Sequence, residues 1–282
     1  MGFIRAVTQP IQRAVSASGP TALGKPTAAS RDVGQAKPAD PRIVATIPLE
    51  VRPENVAVDP AGQRLFVTNA EAKSLTIINT ATRKVLSTLT LGRAPGAITF
   101  DAKAKTLWVV NFNEGTVSVL GLDGKSTATI KVGRGPRGVA VNSSGTKAYV
   151  TTSIDKKLQV IDMKTLRITT SKYLGWEPGA AIMNPVKGQV CIVNQMALKL
   201  WYCHDDATLK SAGSLGPTGD AIALDTDTHD RYAVRPTLTS LDVVDGVTGK
   251  TINIPIGGTP TGVAVDRKTH LAYVSDHESK SI

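Results

Sequence analysis

The sequence lacks the features that mark several common classes of protein. No apolar run approaches the roughly 18 residues that a membrane-spanning helix requires, so we expect no transmembrane segment. Neither the Gly-x-Ser-x-Gly turn of α/β-hydrolases nor the glycine-rich phosphate loop of nucleotide-binding proteins occurs. Only two cysteines are present, and no histidine stands at metal-ligand spacing from them, which argues against a cysteine-based zinc site.

Acidic residues are fewer than basic ones, with 23 Asp and Glu against 33 Lys and Arg, which gives a net charge of +10. A basic balance favours anionic partners such as nucleic acid, phosphates, acidic polysaccharide or a membrane surface. Because the basic residues are spread over the chain without a dense run, the charge also fits a role in solubility alone.

What the chain does contain is a unit of about forty residues that recurs six times, which is the signature of a repeat architecture. Each copy places an Asp or Asn seven residues before an aromatic residue or Cys, and successive copies lie 41 or 42 residues apart. The six pairs are Asp59 and Phe66, Asp101 and Trp108, Asn142 and Tyr149, Asn184 and Cys191, Asp225 and Tyr232, and Asp266 and Tyr273. No gap is needed inside any unit.

Apolar residues alternate with a period of two inside each unit, which predicts short strands and excludes a helical solenoid. The first unit reads as four strands, with turn residues between residues 56–58, 65–67, 75–78 and 85–91. Four such strands describe one blade of a propeller. The second residue of the first strand is small in five copies, as an innermost strand near the axis would require: Ala57, Thr99, Ala140, Ala223 and Ala264, with Ile182 as the exception. We therefore predict an all-β propeller of about six four-stranded blades.

The second strands of the first three units resemble the Tyr-Val-Thr-Asn motif of the YVTN-repeat β-propellers. They read Phe66-Val67-Thr68-Asn69, Trp108-Val109-Val110-Asn111 and Tyr149-Val150-Thr151-Thr152. This family includes surface-layer repeats and YncE-like periplasmic proteins, so the resemblance implies a periplasmic or extracellular location. It also implies that the ring could be an incomplete one of seven blades. The fifth unit departs from the motif at Tyr232-Ala233-Val234-Arg235, and its blade is expected to be irregular.

Residues 1–41 lie outside the repeat and are predicted to form a disordered or leader-like tail, with the propeller spanning 42–282. The tail is rich in Ala, Ser, Thr and Pro and has no apolar core of a signal peptide. Residues 43–48 match a fourth strand, so the last blade is expected to combine both chain ends. Ile282 aligns with the start of a third strand, which leaves one strand missing. Either closure is imperfect or the chain is truncated.

The two cysteines align with positions on adjacent antiparallel strands. Cys191 matches Phe66 of the first unit, and Cys203 matches Ile78. If these positions lie opposite each other, a cross-strand disulfide can form, which would suit an exported protein. Two buried free thiols are the alternative.

One face of the predicted propeller collects the loops that lead into the first strands and those that join the second strands to the third. These loops bring five arginines and a tryptophan to the mouth of the central channel: Arg52, Arg93, Arg134, Arg137, Arg235 and Trp176. Guanidinium groups suit bidentate contact with carboxylate or phosphate, and an aromatic ring adds stacking. The alternative is that these arginines are exposed turn residues without a ligand.

The other recurrent polar residues have a structural interpretation. The motif asparagines and the aspartates before each turn are expected to hydrogen-bond the backbone of those turns. The four histidines occupy different positions of the repeat, and of these His277 alone is near the arginine face. We therefore predict no metal site and no cofactor.

We predict a monomeric, non-catalytic binding or scaffold protein of the bacterial cell envelope, the location being what the resemblance implies. Its ligand is expected to be an anionic small molecule, polysaccharide or protein partner on the arginine-lined face. Single-stranded DNA or another nucleic acid, bound through backbone charge and base stacking, is one alternative. A lactonase- or lyase-like propeller enzyme is another, and it would depend on acids near the channel mouth, which are Glu54, Glu177 and Asp276.

Overall fold

The fold is an all-β propeller, seen here in a computed structural model that describes residues 5–8, 42–59, 61, 63–91, 94–175, 177–184, 187–194, 199–204, 208–214 and 221–282. Strands predominate among these residues, because β-branched and aromatic residues fill the alternating runs and Gly, Asn and Asp separate them. Two short 3₁₀ turns, Phe112–Glu114 and Pro236–Leu238, interrupt them. No helix in the described ranges is long and apolar enough to cross a membrane.

Five blades each consist of four consecutive antiparallel strands. The first contains β3 (Asn55–Val58), β4 (Arg64–Asn69), β5 (Ser74–Asn79) and β6 (Val85–Thr90), and the second contains β7 (Pro95–Asp101), β8 (Thr106–Asn111), β9 (Thr116–Leu120) and β10 (Ser126–Lys131). The third contains β11 (Pro136–Val141), β12 (Lys147–Thr152), β13 (Lys157–Asp162) and β14 (Arg167–Tyr173). The fourth contains β15 (Pro178–Asn184), β16 (Gln189–Asn194), β17 (Lys199–His204) and β18 (Leu209–Ser214), and the fifth contains β19 (Ala221–Leu224), β20 (Arg231–Arg235), β21 (Ser240–Val244) and β22 (Thr251–Pro255).

A composite sheet drawn from both ends of the chain completes the ring. Its strands run in the order β2 (Arg42–Ala45), β1 (Arg5–Thr8), β24 (Leu271–Asp276) and β23 (Pro260–Asp266). The first strands of all six sheets are neighbours in a closed circle, with β23 beside both β19 and β3. The prediction of about six blades, or an incomplete seven, is thus corrected to five continuous blades and one composite sheet.

The third position of the composite sheet is taken by a segment from the predicted tail. Strand β1 pairs with β24 from Arg5 opposite Val274 to Thr8 opposite Leu271, and with β2 on its other side. The strand that appeared to be missing is therefore supplied from residues 5–8. Most of residues 1–41 lie outside the described ranges, so the boundary at residue 42 stays a prediction.

Five of the six sheets pair a small residue on the first strand with a large one on the second. In the first blade the buried Ala57 of β3 lies opposite the fully buried Phe66. The same pairing recurs as Thr99 with Trp108, Ala140 with Tyr149, Ala223 with Tyr232 and Ala264 with Tyr273. In the fourth blade the sizes are exchanged, because Ile182 lies opposite Cys191. The large Ile182, which was the exception in the sequence, is therefore compensated by a smaller residue on the paired strand.

The aspartates and asparagines before the turns hold those turns, as predicted, whereas the motif asparagines mainly bond hydroxyls of the third strand. Oδ1 of Asp59 accepts the backbone N–H of Ala61 at 2.9 Å, and Asp101, Asn142, Asn184, Asp225 and Asp266 accept from their own turns in the same way. The motif residue Asn69 donates to the hydroxyls of Ser74 and Thr76, at 3.0 and 2.9 Å, and Asn111 makes the matching pair of bonds in the second blade. These side chains join the second strand of a blade to its third.

The fifth blade, which was expected to be irregular, pairs without any register shift in its three ladders. Its motif carries Arg235 where the first two blades carry asparagine. The guanidinium lies 3.0 Å from Asp242, which stands where the first two blades have a hydroxyl residue on their third strand. An ion pair therefore replaces the amide–hydroxyl bonds and preserves the blade.

Candidate functional site: the channel mouth

The first strands enclose a central channel of about 640 Å³. Its wall is made mainly of apolar residues of the first strands, with alanines and larger side chains alike. Alanines 57, 97, 140, 181, 223 and 264 all lie on this wall. At one mouth the lining changes to charged and aromatic residues: Glu54, Phe112 and Arg137, with Asn113 beside them. A cavity with apolar walls and a few convergent polar groups is the usual form of a small-molecule site.

Glu54 lies at the mouth, just before the first strand of the first blade, with its side chain 39% exposed. Burial raises the pKa of its carboxyl above the ordinary value, while the nearby charges of His277 and Arg137 act in the opposite direction. Nδ1 of His277 lies 3.8 Å from Oε2 of Glu54, and Nε2 lies 3.7 Å from Oε1 of Glu71. The imidazole therefore lies between two carboxylates, beyond hydrogen-bond distance of both, at the seam between the composite sheet and the first blade.

Arg137 and Phe112 form the other side of the mouth. Cζ of Arg137 lies 5.6 Å from the centre of the Phe112 ring, which is within cation–π distance. Arg137 is exposed and lies in β11, not in the loop before it as predicted, and Phe112 follows β8 of the neighbouring blade. Within the described ranges, no carboxylate lies within ion-pairing distance of this guanidinium. A positive charge fixed against an aromatic face can receive an anion that has an apolar body.

The other predicted arginines are placed differently. Nη1 of Arg52 lies 3.3 Å from Glu71, and Nε of Arg134 lies 2.8 Å from Asp155, whose second oxygen accepts the Arg134 backbone N–H. Hydrogen bonds from Arg134 hold the pKa of Asp155 below its ordinary value. The Arg235 side chain is only 17% exposed in its ion pair with Asp242. Three of the predicted arginines are thus neutralised by neighbours.

Two predicted site residues, Arg93 and Trp176, lie outside the described residues. Glu54 was expected on this face as one of the acids for the lyase-like alternative, His277 was expected near it without a role, and Phe112 was missed. The available signal for Phe112 was its position directly after the motif residue Asn111, at the start of the loop that reaches the channel mouth. The contact between Glu54 and His277 could not be read from one repeat, since it forms only when the ring closes.

The opposite face contains a second close pair of ionisable residues. Nδ1 of His270 lies 2.6 Å from Oδ2 of Asp225, whose side chain is completely buried. The other oxygen of Asp225 accepts two backbone N–H groups of its own turn. The pair ties the β23–β24 hairpin to the fifth blade and is structural. Within the described ranges, no group of three or more His, Cys, Asp and Glu residues is arranged to hold a metal ion.

The cysteines do not form the disulfide that one interpretation of the sequence allowed. Cys191 lies opposite Tyr202, and Cys203 lies opposite Val190, so the two residues are offset by one position. An offset of one places side chains on opposite faces of a sheet. Cys191 and Cys203 are therefore not joined by a disulfide. Burial raises the pKa of Cys191 to about 11, which leaves its thiol protonated at neutral pH.

Comparison with solved structures supports the propeller fold. The chain is similar to hydrazine synthase from Kuenenia stuttgartiensis, with a TM-score of 0.65 and 15% identity over 84% of this chain and 97% of that one. A streptogramin B lyase gives 0.62 and 11% over 81% and 79%, and a protein of unknown function from Bacteroides thetaiotaomicron VPI-5482 gives 0.63 and 14% over 83% and 69%. No protein-family model and no curated protein matches the sequence. Identities this low carry the fold and nothing further.

Proposed function

We propose that this chain is a propeller binding protein whose channel mouth takes a small organic anion with an apolar body. The observation that carries the proposal is that Arg137 has no ion-pair partner among the described residues. It is exposed at the channel lining and stacked on Phe112, whereas Arg52, Arg134 and Arg235 are each paired with a carboxylate. The apolar wall behind it suits the body of such a ligand.

This proposal narrows the ring of arginines to a single anion-binding residue. Arg52 and Arg134 are held by Glu71 and Asp155, and a ligand would have to compete with those carboxylates. Arg137 needs no such exchange. A location in the periplasm or outside the cell, and a scaffold role there, remain predictions that follow from the resemblance to the YVTN-repeat propellers.

Isothermal titration with benzenesulfonate tests the proposal, because this probe combines one fixed negative charge with an aromatic ring. We expect saturable binding, and we expect Arg137→Gln to weaken it at least about tenfold, since a hydrogen bond to a charged group contributes about 1.5–3 kcal/mol. Arg134→Gln is the matched control and should change the affinity less than about threefold, because that arginine is exposed and paired. Neutral benzenesulfonamide should bind more weakly than the sulfonate.

Equal affinity of the Arg137→Gln and wild-type proteins would overturn the assignment of the site. A single-stranded oligonucleotide in the same assay separates the nucleic-acid alternative. Binding to a phosphate backbone falls steeply with salt. Tight, salt-sensitive oligonucleotide binding that survives Arg137→Gln would favour that alternative over a small-anion site.

A further inference from the structure

The channel mouth holds a carboxylate as well as the guanidinium to which the anion is proposed to bind. Arg52 and Glu71 form a pair and largely cancel each other. Arg137 and Glu54 remain on the channel lining, with His277 beside Glu54. An anion that binds Arg137 therefore comes to rest in the same mouth as the carboxylate of Glu54, and two negative charges in a partly buried site repel each other.

We propose that binding of a monoanion at Arg137 is coupled to the uptake of one proton by Glu54, so that the site takes up anion and proton together. The inference rests on the proposed function, and it specifies the ligand as a singly charged anion. A dianion would carry two charges against one available guanidinium, with the carboxylate of Glu54 on the same lining, and is disfavoured for that reason.

The surroundings of Glu54 favour the uptake of a proton by its carboxyl. Burial already raises the pKa of its carboxyl, which means that the charged form is poorly solvated in the free protein. His277, from the loop after β24, and Arg137, the second residue of β11, lower the pKa of Glu54, while Glu71, from the β4–β5 loop, raises it. A bound anion offsets the charge of Arg137, removes part of its stabilising effect on the Glu54 carboxylate, and so favours the protonated form.

His277 is the other group that could take up the proton. Its two ring nitrogens face Glu54 and Glu71 at 3.8 and 3.7 Å. Glu54 is the stronger candidate, because its carboxyl lies on the channel lining and the imidazole does not. Variants of the two residues separate these possibilities.

The experiment is titration calorimetry with benzenesulfonate in two buffers that have different ionisation enthalpies. The probe is the anion of a strong acid and keeps its charge throughout the pH range used. We expect the measured enthalpy to change with the ionisation enthalpy of the buffer, with a slope that gives the number of protons taken up. We also expect the affinity to rise by up to about tenfold for each unit that the pH falls, within the window between the pKa values of Glu54 in the free and bound protein.

Glu54→Gln should abolish both effects and keep the affinity high at every pH, because glutamine resembles the protonated acid. Glu71→Gln is the matched control and should retain the proton uptake. If wild-type protein binds the probe without proton uptake, the coupling is wrong while the proposed function stands. If proton uptake persists in Glu54→Gln and disappears in His277→Gln, the coupling through Glu54 is overturned. Failure of the probe to bind at any pH would overturn the proposed function itself.

Discussion

Thr151 donates its hydroxyl proton to the backbone carbonyl of Gly179 at 2.6 Å, and so joins the third blade to the first strand of the fourth. The same hydroxyl accepts the backbone N–H of Gly138 at 2.9 Å. Thr68 repeats the contact by donating to the carbonyl of Gly96 at 2.7 Å. The threonine of the repeated motif thus has a physical role, because it satisfies backbone groups at a blade boundary where no β-ladder can form.

Thr151→Val tests this role, and valine should fit because it has nearly the same shape. Valine leaves the N–H of Gly138 and the carbonyl of Gly179 without their partner. Each buried unsatisfied group costs about 1–3 kcal/mol, so we expect a loss of about 3 kcal/mol in the free energy of unfolding. Urea unfolding measures this loss, and the dependence of the free energy on urea concentration should stay unchanged. Thr90→Val, on the exposed outer strand of the first blade, is the control and should change stability by less than about 0.5 kcal/mol.

Gly138 marks a point of close approach between the third and fourth blades. A Cβ added there would lie 2.5 Å from the backbone nitrogen of Ala181 and 2.6 Å from the carbonyl oxygen of Gly179. Main chain cannot move aside as a side-chain tip can, so we expect Gly138→Ala to lower the free energy of unfolding by about 3 kcal/mol or more. Gly249→Ala, where nothing lies within 4 Å of the added carbon, should cost only the strain of its positive φ, about 1 kcal/mol. Equal effects of the two substitutions would contradict this interpretation.

Glu54 gives a pH dependence whose sign follows from its environment. Its pKa in the folded protein is raised above the ordinary 4.5, so the native state holds the proton more tightly than the unfolded chain. The contribution of Glu54 to stability is therefore greatest below pH 4.5 and is lost as the pH rises through the raised pKa. We expect Glu54→Gln to be more stable than wild type at neutral pH, by an amount that shrinks as the pH falls through this window. Thermal unfolding across the pH range measures it, and Glu50→Gln, at an exposed position, controls for the change in net charge. A difference in stability between Glu54→Gln and wild type that does not change with pH would falsify the raised pKa of Glu54.

The sequence predicts those parts of the fold that lie within one repeat. The pairing of Ala57 with Phe66 is set by a single hairpin, and its recurrence every 41 or 42 residues fixes the blades. The closing contribution of residues 5–8 could not be predicted, because that segment carries no motif and pairs only where the ring offers an open edge.

Residue counting assigns Arg134 and Arg235 to one predicted face, but it does not show how their charges are paired. It cannot show that Asp155 and Asp242 neutralise them. Such pairings depend on how separate loops and strands meet in three dimensions. Arg137 differs from Arg134 and Arg235 because no carboxylate of the described residues pairs with it. A sequence pattern does not reveal this difference.

The cysteine pair gives a chemical test of strand register. Cys191 and Cys203 lie one position out of register and on opposite faces of their sheet, so they should stay reduced without added reductant. Cys203 is fully buried and the pKa of Cys191 is raised to about 11, so both should react slowly with iodoacetamide in the folded protein. After denaturation without reductant, mass spectrometry should show both cysteines alkylated. Alkylation that requires prior reduction would mean that the two sulfurs are bonded, and the strand register described here would then be wrong by one residue.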